Sequence, residues 1–308
     1  MEDNVVFQTY ALGKAYKKFK ALDAVDMTVY EGDIYGFVGE NGAGKTTLIR
    51  LACGLIHPSS GDYSIFGVSS RQDGIIEARR KTAAIVEAVA LCRSLNALEN
   101  LKLHAKLVGV IKSDEELNEI LNNVGLDAKA IEKKKVGNFS LGMRQRLGIA
   151  IALLSNPKFV ILDEPMNGLD PQGFIDVRET ILRLNKQGVT FLISSHILSE
   201  LDKICTRVGF LSHGQLVKEI SFDELHQIAR KKISLRIKDA DNVAILLKDH
   251  FNLKEIKIDG DFITIYDTLD VNELLKYIFS KGLNIESITS NEETIEDFYQ
   301  QLIKGGAR

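Results

Sequence analysis

The stretch between Asp33 and Ala52 restricts the fold more than any other part of the chain. It opens with an apolar run of strand length, Asp33-Ile34-Tyr35-Gly36-Phe37-Val38, and closes with Thr47-Leu48-Ile49-Arg50-Leu51-Ala52, which reads as helix. Between them lies Gly39-Glu40-Asn41-Gly42-Ala43-Gly44-Lys45-Thr46-Thr47, spaced as G-x-x-x-x-G-K-[S/T]. Gly39, Gly42 and Gly44 let the backbone, with Asn41 and Ala43 between them, turn tightly and aim several N–H groups at one anion. The helix beginning near Lys45 adds the positive end of its dipole. In such a loop Lys45 reaches the β- and γ-phosphates of a nucleoside triphosphate, the Thr46 hydroxyl holds Mg²⁺, and Thr47 joins the phosphate contacts. A glycine-rich turn without a ligand is the alternative, and the strand, loop and helix context argues against it.

With 308 residues the chain is long enough for about two domains. A formal charge of −3 gives no global basic field of the kind a nucleic-acid binder carries, so no nucleic-acid partner is expected. Cys53, Cys92 and Cys205 are few, far apart and without C-x-x-C spacing, which argues against a disulfide framework or a cysteine metal site. No apolar window is long enough to span a bilayer, so a membrane role has to pass through a partner.

Strand-like alternation over Ala21–Val29 predicts an antiparallel subdomain before the loop. Between about Glu87 and Phe139 the period becomes helical, and a helical insertion over about 88–157 is expected, with Leu91, Leu95, Leu98 and Leu101 at helix-like intervals. Phe159-Val160-Ile161-Leu162 and Val189-Thr190-Phe191-Leu192-Ile193 then read as buried parallel strands. From about Lys231 the composition shifts to alternating Ile and Lys. The order strand, helix, hairpin around Asp259-Gly260-Asp261, helix, strand, helix suggests a split β-α-β sandwich. The expected class is α/β, a P-loop NTPase fold with an antiparallel β subdomain and helical insertion in 1–228, followed by a small C-terminal α+β domain in 229–308.

The strand ending Leu162-Asp163-Glu164 places two acids where a phosphate-loop protein manages metal and water. Asp163 is expected to hold Mg²⁺ directly or through its water, and Glu164 to orient or deprotonate the attacking water. Two acids at a surface strand end are the bland alternative. Three further runs accompany them: Phe139-Ser140-Leu141-Gly142-Met143-Arg144-Gln145-Arg146 before, Pro165-Met166-Asn167-Gly168-Leu169-Asp170-Pro171 directly after, and Ser194-Ser195-His196 closing the next apolar strand.

With this ordered set the chain resembles the ATP-binding subunit of an ABC transporter over roughly its first 220 residues. The resemblance implies an ATPase that binds ATP and Mg²⁺ and works as a homodimer, or paired with a related subunit. It also implies an integral membrane permease as partner and a peripheral place on the cytoplasmic face of the membrane. Ser140 and Gly142 match the signature motif, in which Leu141 and Met143 depart from the common L-S-G-G-Q; that motif faces the γ-phosphate bound by the opposite subunit. Asp170 matches the aspartate of the loop crossing the dimer interface, and His196 the switch histidine at the γ-phosphate. Tyr16 falls where an aromatic ring stacks on adenine, an ordinary strand tyrosine being the alternative. Glu87 occupies the position that usually carries glutamine and is expected, with Asp163, to serve the metal; glutamate keeps metal ligation but is acceptor only and adds a negative charge. Glu87 and the Ser-Leu-Gly-Met run look like the subgroup exporting peptide antibiotics such as bacitracin and lantibiotics. A soluble ATPase acting on nucleic acid or ribosomes, and an ATP-switched regulatory subunit, are the rival readings.

Overall fold

The computed structural model describes residues 4–87, 89–228, 231–267, 269–292 and 295–305. Three apolar runs form the centre of a six-stranded sheet: Ile34–Val38, Phe159–Asp163 and Thr190–Ser195, every residue of which is buried. Burial on both faces is what continuous apolar runs require, and it selects parallel pairing with helices on either side. The spatial order is Gln215–Ser221, Arg207–Ser212, Ile34–Val38, Thr190–Ser195, Phe159–Asp163, Thr82–Ile85. All neighbours are parallel except the antiparallel edge strand Gln215–Ser221. The register puts Asp163 opposite Ser194 and Val38 opposite Ser195, so several polar groups emerge together at the carboxyl ends of the strands.

A second, antiparallel sheet is built around the long strand Val5–Tyr16, paired with Phe19–Val25, Thr28–Tyr30 and Ser60–Ile65. The two sheets share a core. Phe7, fully buried, lies 6.0 Å from the Tyr63 ring within its own sheet and 6.1 Å from Phe159 in the parallel sheet. Burying an aromatic side chain of this size contributes about 1.5–3 kcal/mol.

The insertion consists of Ala97–Val108, Asp114–Asn123, Ala128–Ile131 and Leu141–Ala152. Asn96 with Glu99, and Ser113 with Glu116, form reciprocal capping boxes that fix where the first two begin. The Asn96 cap corrects one expectation: Leu91 and Leu95 precede the helix and lie in the loop before it, so the spacing of leucines across that boundary is not a helical stripe.

Contacts divide the chain at Phe222/Asp223, a few residues before the expected 228/229, because strand Gln215–Ser221 completes the first sheet and the chain leaves it there. The second unit has the order Ile256–Asp259, Phe262–Ile265, Lys231–Ile237, Ile285–Glu292, with every neighbour antiparallel. Helices Ala240–Phe251 and Val271–Ser280 complete the β-α-β-β-α-β pattern. Its core gathers Ile233, Leu235, Ile237, Leu247, Ile263 and Ile278. Among the described residues no helix is long and apolar enough to cross a membrane.

Candidate active site

Strand Ile34–Val38 delivers Gly39 to the edge of the sheet, and helix Lys45–Ala52 leaves from the other end of the loop. The glycines serve different purposes. Gly44 has φ 114°, and a Cβ there would stand 2.4 Å from the Ala21 carbonyl oxygen. Gly39 needs no unusual φ; a Cβ would meet the Leu211 carbonyl oxygen at 2.4 Å. Gly42, at φ 83°, faces open space and is required by its backbone conformation alone. The helix start has no side-chain cap and no acid in its first turn, so its leading N–H groups are available to an external anion. Ala43 is buried, Asn41 exposed and Thr47 half-buried.

Lys45 is only 6% exposed. Its Nζ donates to the carbonyls of Gly39 at 2.5 Å and Glu40 at 3.3 Å, and lies 3.3 Å from Glu164 Oε1. Asp163 is buried with both oxygens occupied: Thr46 Oγ1 donates to Oδ2 at 3.0 Å, and Ser194 Oγ donates to Oδ1 at 2.6 Å. Such bonds are what make a buried carboxylate tolerable. The Ser194 hydroxyl also accepts from the Glu164 backbone N–H at 2.9 Å, tying both acids to the neighbouring strand. Glu164 itself is a non-glycine residue at φ 49°, and its second oxygen meets His196 Nδ1 at 2.8 Å. The result is a chain of polar groups, Lys45–Glu164–His196, beside the pair Thr46–Asp163.

A cleft of about 480 Å³ opens beside this arrangement, lined by Thr46, Asp163, Glu164, Glu87, Arg93, Arg144 and Leu141 among others. Glu87 follows strand Thr82–Ile85 at φ 63°, and its Oε1 meets Arg50 Nη2 at 2.5 Å. Next to the cleft, a smaller apolar cavity of about 310 Å³ is lined by Cys53, Val86, Val89 and Ile151. Burial pushes the Cys53 thiol up to about 11, so it remains protonated.

Of the residues singled out from sequence, Lys45, Thr46, Asp163, Glu164 and His196 are joined by direct contacts. Ser140, Gly142 and Asp170 form a separate group. Ser140 caps helix Leu141–Ala152 by accepting from Met143 N, Asp170 caps Pro171–Lys186 by accepting from Gly173 N, and a Cβ on Gly142 would come 3.0 Å from Gly173 Cα. The missing side chain is thus what lets the two helix starts touch. Tyr16 ends its strand across a tight turn from Phe19, both rings exposed, with Lys14 Nζ 5.3 Å from the Tyr16 ring centre. Sequence reasoning passed over Ser194 as a ligand-holding residue and Arg50 altogether. The signal for Ser194 was a hydroxyl interrupting an apolar strand; Arg50 gave none.

Residues 22–167 match the family model described as ABC transporter, a span that includes the loop, the signature run and both acids. Across 306 residues, 98% of this chain and 99% of the other, the chain is 41% identical to the bacitracin transport ATP-binding protein BcrA of Bacillus licheniformis. The chain belongs to the ATP-binding subunits of ABC transporters. Another relative of this ABC subunit, the lantibiotic transport ATP-binding protein SrtF of Streptococcus pyogenes, is 41% identical over 69% of the chain and 89% of its own length. Among solved structures, the dimeric post-hydrolysis state of the ATP-binding cassette MJ0796 bound to ADP and Pi superposes with a TM-score of 0.61. It is 24% identical, covering 70% of this chain and 98% of its own, and attests the cassette fold.

Proposed function

We propose that this ABC subunit hydrolyses ATP as a dimer, on the cytoplasmic face of a membrane, to drive a separate permease that exports peptide antibiotics. The contact set Lys45–Glu164–His196 beside Thr46–Asp163 carries the reading, because it joins a phosphate cation, a metal-binding oxygen pair and a base, with Thr46, Asp163 and Glu164 lining one cleft. The bacitracin and lantibiotic transport proteins support the substrate class. The dimeric MJ0796 cassette supports the assembly.

The residues present fit Mg²⁺. An octahedral ion with ligands at about 2.1 Å holds adjacent oxygens about 3 Å apart, and Thr46 Oγ1 stands 3.0 Å from Asp163 Oδ2. Thr46 and Asp163 would hold the metal, with Glu87 lining the same cleft. When bound, Mg²⁺ neutralises phosphate oxygens and favours attack at the γ-phosphorus.

This chain's own residues then do the following. Loop N–H groups and Lys45 bind the phosphates, Lys45 exchanging its carbonyl and Glu164 partners for phosphate oxygens. Release from Lys45 frees Glu164 Oε1 to take a proton from the attacking water. His196 holds Oε2, and Ser194 holds the Glu164 backbone, so the base stays aimed. Ser140 and Gly142 open a helix onto the γ-phosphate held by a second copy, with Asp170 crossing the interface and Tyr16 under adenine. Glu164→Gln removes the base while keeping shape. The expected outcome is turnover reduced about a hundredfold or more with an ATP-dependent dimer that persists on gel filtration; near-normal turnover would remove Glu164 from this role.

A further inference from the structure

We infer that Arg50 is a positioning residue for Glu87: it holds that carboxylate against the cleft wall and compensates its charge while a triphosphate occupies the site. This rests on the ATPase reading above. Three carboxylates line the cleft that must admit a polyanion: Glu87, Asp163 and Glu164. Two of them are accounted for, Asp163 by two hydroxyls and Glu164 by Lys45 and His196. Glu87 is met by Arg50 Nη2 at 2.5 Å.

Arg50 is well placed to do this. It lies in the last turn of the helix that begins with Lys45, where a cation suits the helix dipole, and its neighbours Leu48, Ile49, Leu51 and Ala52 are fully buried. One packed helix therefore presents Lys45 and Thr46 at its start and Arg50 at its end, so the backbone that carries the guanidinium is fixed relative to the phosphate loop. Glu87, by contrast, is the first residue after Val86 beyond its strand and sits at φ 63°, a conformation that costs a non-glycine residue about 1 kcal/mol or more. A partner that fixes its carboxylate limits the conformations this turn can take.

In the single chain both side chains are accessible, Arg50 at 42% and Glu87 at 66%, so water weakens the pair. Its consequence is read in nucleotide binding, where an uncompensated carboxylate repels phosphate. Glutamine at position 87 carries no charge to compensate, and Arg50 then becomes dispensable.

The test is a double-mutant cycle in the full-length chain: Arg50→Met, Glu87→Gln and both together. The readouts are the Kd of a fluorescent ATP analogue with Mg²⁺ and the thermal melt of each variant. Arg50→Met alone is expected to weaken binding about threefold to fivefold, the loss shrinking at high salt. In the Glu87→Gln background the same change is expected to alter Kd by less than about 1.5-fold, and Arg50→Lys to recover part of the loss. Equal losses in both backgrounds, or none in either while the unmutated protein binds, would overturn the Arg50 assignment alone. An unmutated protein that binds no analogue would overturn the ATPase reading, and this inference with it.

Discussion

The unit that ends at Phe222 and the unit that begins at Asp223 distribute their polar groups in opposite ways. Among the described residues, tyrosines aside, the buried polar or charged side chains lie in the first: Lys45, Asp163, Ser194 and Ser195 around the cleft, with Thr9, Ser64, Asn100, Thr180 and Thr190 elsewhere. The core of the second unit is mainly aliphatic, with the Phe251 and Tyr277 rings packed against it. Backbone strain follows the same division. In the second unit the non-glycine residues at positive φ are Asp239 and Asn252, at the two ends of helix Ala240–Phe251, where short polar side chains adopt that conformation cheaply. In the first they include Glu87 and Glu164, two of the three acids that line the cleft. A region organised for chemistry accepts buried polarity and strain; a region organised for packing has no reason to.

Two substitutions press on that difference. Ser194→Ala removes the hydroxyl that holds Asp163 and the Glu164 N–H. Steady-state assays are expected to show turnover about ten- to a hundredfold lower, and melting curves a loss of about 1–3 kcal/mol from the unsatisfied carboxylate. A variant with unchanged turnover would mean that this buried polarity serves stability only. Leu235→Ala, at the fully buried centre of the second unit's sheet, is expected to cost that unit about 2–5 kcal/mol. ATP turnover should stay within about twofold; a parallel collapse of turnover would erase the contrast between the units.

Much of both regions could be read in advance, for different reasons. The second unit follows simple periodicity: alternation in Ile233-Ser234-Leu235-Arg236-Ile237 and the Asp259-Gly260-Asp261 turn correspond to observed strands and hairpin. In the first, Lys45, Thr46, Asp163 and Glu164 were legible from the loop spacing and the acids ending an apolar strand, whereas His196 was picked out by the family resemblance. Ser194 and Arg50 were not, since their roles arise from partners 31 and 37 positions away that only the sheet register and the helix direction bring close. The helical leucines misled at Leu91 and Leu95 because a cap at Asn96, a local hydrogen-bond choice, overrides apolar spacing.

The central claim, that each nucleotide is enclosed by the phosphate loop of one copy and Ser140 of another, is tested most directly by mixing two inactive variants. Lys45→Ala disables the loop, and Ser140→Arg disables the signature. A heterodimer of the two retains one intact composite site, so the mixture is expected to hydrolyse ATP at about a tenfold higher rate than either variant alone. A mixture no more active than its components would contradict a site shared between copies.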